Sequence, residues 1–177
     1  FQFLTLSITF SQSKLTISDA CSYYGEKTPT SLYTFTSDNE AISALNLITD
    51  ASGLAPNFKI MAANVPNAAA TLFYNEKTKG VERYILYNQT FMYNISQKIN
   101  YWASISILAH EVGHHLNGHT LKPGGSRPTL ELEADKYSGS ILARLGATLE
   151  EAQSAINSLV SEAGSPSHPG RSARLTA

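Results

Sequence analysis

The order of apolar and polar positions divides the chain into helical and extended stretches. Ser37-Asp38-Asn39-Glu40 has the form of a capping box, with Ser37 accepting from the third helical amide and Glu40 reaching back. Ala41, Ile42, Leu45 and Ile48 then recur at helical spacing until Gly53, which predicts a first helix with a core-facing stripe. After Pro56, Phe58-Lys59-Ile60-Met61-Ala62 reads as a strand. Val65 to Tyr74 reads as another, whose Pro66 confines its start to a strand beginning or a sheet edge. The polar turn Asn75 to Gly80 leads into Val81 to Tyr87, so the last two strands form a hairpin.

A second helix is predicted from about Ser96 through Ile99, Trp102, Ile105, Leu108, Val112 and Leu116 to the stop at Asn117-Gly118. A third runs from about Thr129 through Tyr137, Ile141 and Leu145 to Gly146. A fourth starts at the capping box Thr148-Leu149-Glu150-Glu151 and continues through Ile156 and Leu159 to Gly164. Ser22 to Thr36 and Thr120 to Pro128 read as loops. The sum is an α+β domain of about four helices, with a small antiparallel or mixed sheet packed on the long second helix.

Length and charge narrow this picture. A chain of 177 residues with 42% hydrophobic composition sustains one core, so residues 14–177 are expected to form a single domain. Residues 1–13 read either as a first strand or as the end of a secretory signal, an apolar run followed by Ser11-Gln12-Ser13. The signal reading implies a secreted or periplasmic protein, and the strand reading leaves a cytoplasmic one. A formal net charge of -1 without a long single-sign block gives no electrostatic reason to expect a nucleic-acid partner, and no run has the length of a membrane-spanning helix. Cys21 is the single cysteine, so no internal disulfide can form.

The chemistry concentrates in His110-Glu111-Val112-Gly113-His114. On a helix, positions i and i+4 share a face, so both histidines can hold one metal ion, while Glu111 projects beside it as a general base toward water. Nitrogen and carboxylate donors suit Zn2+, whose catalytic sites take three protein ligands. The third ligand comes from Glu131-Leu132-Glu133-Ala134-Asp135. Glu131 and Asp135 share a helical face and Glu133 points about 200° away from Glu131, which makes Glu131 the ligand and Asp135 the acceptor for a ring N–H of a ligating histidine. His119 is a minor candidate ligand, and His115, rotated about 100° from His114, is placed at the rim or just behind the ligands. The positions a metzincin needs are Asn117 and Thr120, which excludes that class.

His110-Glu111-x-x-His114 with Glu131-x-x-x-Asp135 resembles the gluzincin metallopeptidases, and Glu131 to Asp135 looks like the family of CAAX prenyl proteases and HtpX-type membrane proteases. Pro66-Asn67-Ala68-Ala69-Ala70 is similar to that family's Asn-Ala edge strand, and Ser167-His168-Pro169 with Arg174 to its Thr-His-Pro...Arg ending. The resemblance implies a zincin-like fold, substrate contacts at Asn67, Ala68, Ala69 and Arg174, and an oxyanion-stabilising role for His168. By residue type alone, the alanine strand reads as one packed tightly under a helix and the tail from Ser165 as a flexible end with a solvated charge pair. The membrane members of the family carry transmembrane helices and this chain has none, so the expected substrate is a peptide or an unfolded protein segment. The expectation is thus a zinc-dependent endopeptidase; the alternative is a catalytically silent or latent zinc-holding module, its site covered by the His168 tail or by one of the two loops.

Overall fold

The computed structural model describes residues 21–23, 32–35, 37–55, 57–121 and 127–177. Residues 1–13, much of the Ser22 to Thr36 loop and most of the Thr120 to Pro128 loop lie outside them. The fold is α+β. Strands β1 (Cys21–Ser22), β2 (Thr34–Phe35), β3 (Phe58–Ala63), β4 (Ala68–Asn75) and β5 (Gly80–Tyr87) form one sheet in the order β1-β4-β5-β3-β2. β3 and β5 are parallel and the other pairs antiparallel, so the sheet is mixed. The hairpin between β4 and β5 turns where Asn75 Oδ1 accepts from the backbone N–H groups of Lys77 and Thr78, at 2.9 and 3.3 Å.

Side chains alternate across β5 as the strand period requires. Ile85 and Tyr87 join the main core with Ile105, Leu108, Ala109 and Val112, while Leu86 points the other way into a smaller cluster with Leu32, Ala63, Val65 and Phe73. The main core sits between the sheet and α3 (Tyr101–Leu116), which is buried almost continuously from Ala103 to His115.

Six α-helices lie among the described residues, where the apolar pattern predicts about four. The predicted second helix, from about Ser96, runs across the end of α2 (Gln89–Lys98), whose earlier residues the pattern does not predict, and the whole of α3. Ile99 and Trp102 carry the apolar stripe across the junction, but Asn100 is extended and its side chain accepts from Ala103 N at 2.7 Å, starting a new helix. The sixth helix is the short α6 (Arg171–Leu175), in a tail whose composition reads as flexible. Packing overrides composition there, since Arg174 and His168 are both buried.

The caps refine the boundaries. α1 (Asn39–Ser52) is capped by Asp38, which accepts from Ala41 N, one position after the predicted Ser37; Ser37 Oγ instead donates to Ile60 O at 2.6 Å. α4 (Pro128–Leu145) begins with proline in its first turn and ends at Gly146, as the pattern predicts. α5 (Leu149–Leu159) has the predicted capping box between Thr148 and Glu151, yet stops five residues before Gly164 because Val160 turns extended. α4 lies close against α3 at Gly113, where a Cβ would come within 3.1–3.2 Å of Tyr137 and Ala134.

Candidate metal centre

α3 and α4 together assemble a closed polar cluster in an otherwise apolar interior. His110, Glu111 and His114 come from α3 and Glu131 from α4, and all four are fully buried. The Nε2 atoms of His110 and His114 lie 3.0 Å apart. Glu131 Oε2 is 3.2 Å from His110 Nε2, and Oε1 is 3.5 Å from His114 Nε2. Neither Glu131 oxygen has a hydrogen-bond partner. A buried carboxylate left without donors, facing two imidazole nitrogens, is costly unless a cation completes it. His110, His114 and Glu131 could therefore hold one metal ion.

Both rings are turned inward because their other nitrogens are engaged. His110 Nδ1 is 2.8 Å from Asp135 Oδ1, as helix phase predicts. His114 Nδ1 is 2.9 Å from His119 Nδ1, and His119 Nε2 is 2.9 Å from Glu133 Oε2. Each candidate ligand histidine is thus backed by a carboxylate, one directly and one through a second imidazole. His119 is therefore a neighbour of a ligand, not the third ligand. Gly118, at φ 70°, turns the chain so that the 3-10 turn His119–Leu121 meets the flank of α4 where Glu133 projects. A glycine directly before a histidine, five residues past His114, is the sequence feature that could have suggested this contact.

The electrostatics follow from these contacts. Burial lowers the His110 pKa, but Asp135 and Glu131 outweigh it and raise it to about 9. His114 is held well below its ordinary value by burial and by the neighbouring imidazoles. Burial pushes Asp135 up, yet the Arg174 guanidinium and His110 bring it below the usual carboxylate range. Arg174 grips Asp135 with Nε and Nη2, both at 2.7 Å, while its Nη1 donates to Tyr23 O at 2.8 Å.

Glu111 Oε2 accepts from Ala70 N at 2.8 Å, Oε1 is buried without a partner, and burial raises the pKa to about 8. His168 Nε2 stands 3.5 Å from Glu131 Oε2, with Nδ1 2.9 Å from Ser167 Oγ. The tail thus delivers His168 and Arg174 to the cluster.

Two sequence expectations require correction. His115 is not at the rim: its ring stacks on Phe58 at 5.4 Å, and its nitrogens meet Tyr84 O at 2.9 Å and Thr120 Oγ1 at 3.2 Å, tying α3 to β5. Its pKa falls to about 4, chiefly through burial. The Asn67-Ala68-Ala69 strand is at the site but is not an edge, because β1 pairs with it, Cys21 opposite Ala70 and Ser22 opposite Ala69.

No family model, curated protein or solved structure matches this chain.

Proposed function

We propose that this chain is a zinc-dependent endopeptidase of the gluzincin type, acting on extended peptides or unfolded protein segments. The observation that carries the reading is the convergence of His110 Nε2, His114 Nε2 and the donor-free Glu131 carboxylate, with Glu111 one residue after the first histidine. Three protein ligands leave a fourth position, the arrangement of catalytic rather than structural zinc. The mixed sheet beside α3 is in keeping with a zincin-like fold. Among the described residues no helix is long and apolar enough to cross a membrane.

Zinc supplies Lewis acidity, which makes water nucleophilic near neutral pH and polarises a carbonyl. The rest falls to this chain's own side chains. Glu111, made basic by burial, takes the proton of the attacking water and returns it to the leaving amine. His168 is close enough to the cluster to donate toward the developing oxyanion. Asp135 and His119 hold the two ligand rings in the tautomer that directs Nε2 inward.

The test compares the protein with Glu111→Gln for zinc content and for hydrolysis of an unfolded protein. One zinc per chain in both, with hydrolysis reduced at least about 100-fold in the variant, is expected. Zinc bound with no hydrolysis in either would leave the chain a silent or latent zinc-holding module. Absence of zinc would refute the metal centre itself.

A further inference from the structure

Asn67, Ala68 and Ala69, three of the four residues that the resemblance to gluzincins implies as substrate contacts, are already in use. Asn67 Oδ1 accepts from Tyr23 N at 3.2 Å, Ala68 O accepts from the same N–H at 3.4 Å, and Ala69 pairs with Ser22. On the side of β4 away from β5, the antiparallel partner is therefore a piece of this same chain, Cys21–Tyr23. Strand addition at a sheet edge is how an extended peptide is held, by main-chain bonds along the edge and side chains in alternate pockets. Cys21–Tyr23 is held by main-chain bonds of that kind.

The segment does more than lie along the strand. The Tyr23 ring meets the His110 ring edge-on, with centroids 4.9 Å apart, and the Arg174 guanidinium lies 4.8 Å from its centroid. Arg174 Nη1 also holds the Tyr23 carbonyl, and the Tyr23 side chain is buried. Glu111 is drawn onto Ala70 N, on the strand that β1 covers. With the segment in place, His110, Glu111, His114 and Glu131 have no exposed surface. In this state Ala69 and Ala70 are already paired and the general base has no exposed surface.

We infer that Cys21–Tyr23 is an internal occupant of the substrate cleft, a substrate-like strand that keeps the site latent until it leaves β4. This rests on the reading of Asn67, Ala68 and Ala69 as substrate contacts. Within the described residues the segment pairs with β4 at Cys21 and Ser22. Its anchor is Tyr23, held at ring, N–H and carbonyl.

The test uses the full chain with a site-specific protease sequence inserted between Lys27 and Thr28, compared before and after cleavage, alongside Tyr23→Ala in the uncut protein. Two rates are measured: hydrolysis of an unfolded protein, and removal of zinc by 1,10-phenanthroline. Cleavage and Tyr23→Ala are each expected to raise both rates about tenfold or more, and a synthetic peptide covering residues 15–27 to reverse the gain in the cut protein. If Tyr23→Ala fails to fold, the cut protein decides alone, since every contacting residue in it is native. Rates unchanged within twofold by cleavage would overturn the inference while leaving the peptidase reading intact, provided Glu111→Gln still abolishes hydrolysis. If no form hydrolyses the substrate, the peptidase reading fails, and the phenanthroline rates still decide whether the segment closes the site.

Discussion

His119 and Glu133 are joined through His119 Nε2 at 2.9 Å, and the opposite ring nitrogen of His119 meets His114 Nδ1 at the same distance. For His114 to present a lone pair at Nε2, its Nδ1–H must donate to His119, whose Nε2–H then donates to Glu133. Glu133 thereby selects the tautomer of a metal ligand it does not touch. Glu133→Ala is expected to weaken zinc binding about tenfold, in the range typical of lost partners behind metal ligands. Glu133→Gln, whose amide oxygen can still accept from His119, should stay within about threefold of the wild type. Competition against a chromophoric chelator measures both. Equal weakening by Ala and Gln would mean that the charge of Glu133 matters, not its acceptor.

Arg174 and Asp135 form a two-bond ion pair that is almost wholly buried. Removing one partner from such a pair leaves the other charge uncompensated, at about 3–5 kcal/mol. Arg174→Met should therefore lower unfolding stability by an amount of that order in a urea titration. Arg174→Lys should recover only part of it, because an ammonium cannot reproduce the forked geometry. A loss below about 1 kcal/mol for Arg174→Met would show that the tail is not fastened by this pair.

The ligands sit on two helices, so their spacing depends on how closely α3 and α4 approach. Gly113 sets that approach: a Cβ there would lie 3.1 Å from Tyr137 Cδ1 and 3.2 Å from Ala134 Cα. Ala134 Cα is backbone and cannot swing aside. Gly113→Ala gains about 1 kcal/mol in helix propensity but adds a methyl to a filled contact, which costs about 1–3 kcal/mol. The steric cost is expected to win, giving a net loss of about 1 kcal/mol in thermal or urea unfolding. Because Glu131 moves with α4, zinc affinity should fall as well. A variant more stable than the wild type, with unchanged zinc affinity, would contradict this account of the contact.

What could be read from the sequence were features decided within a few residues of each other. His110 and His114 meet because they are four apart on a helix, and Glu131 is preferred to Glu133 by phase on its own helix. The Thr148 capping box is equally local. Asn100 was missed because an apolar stripe continues through Ile99 and Trp102 while the backbone does not. The order of the tail depends on Arg174 reaching Asp135, 39 residues earlier, and the closure of β4 on Tyr23 reaching Asn67 across 44 residues. Neither leaves a periodic trace, since each rests on single contacts between residues far apart in the sequence. The resemblance to gluzincins directed attention to His168 and Arg174, which lie beside Glu131 and Asp135, and to Asn67, which accepts from Tyr23 N.

His115, although next to His114, serves the fold, and its protonation provides a separate test. Its pKa is about 4 in the folded chain, lowered mainly by burial, against an ordinary value of 6.5. Between those values the unfolded chain binds a proton that the folded chain does not, so stability falls as pH drops from 6.5 and levels off below about 4. At 1.36 kcal/mol per pKa unit the loss is about 3 kcal/mol. Protonation would also place a cation against Arg83, whose charge already disfavours it. His115→Gln removes the titration while keeping an amide N–H for Tyr84 O. With a chelator present throughout, so that metal release does not enter, the wild type should lose about 3 kcal/mol more than His115→Gln between pH 7 and pH 4. Parallel stability curves for the two proteins would show that His115 takes up its proton without opening the contact between α3 and β5.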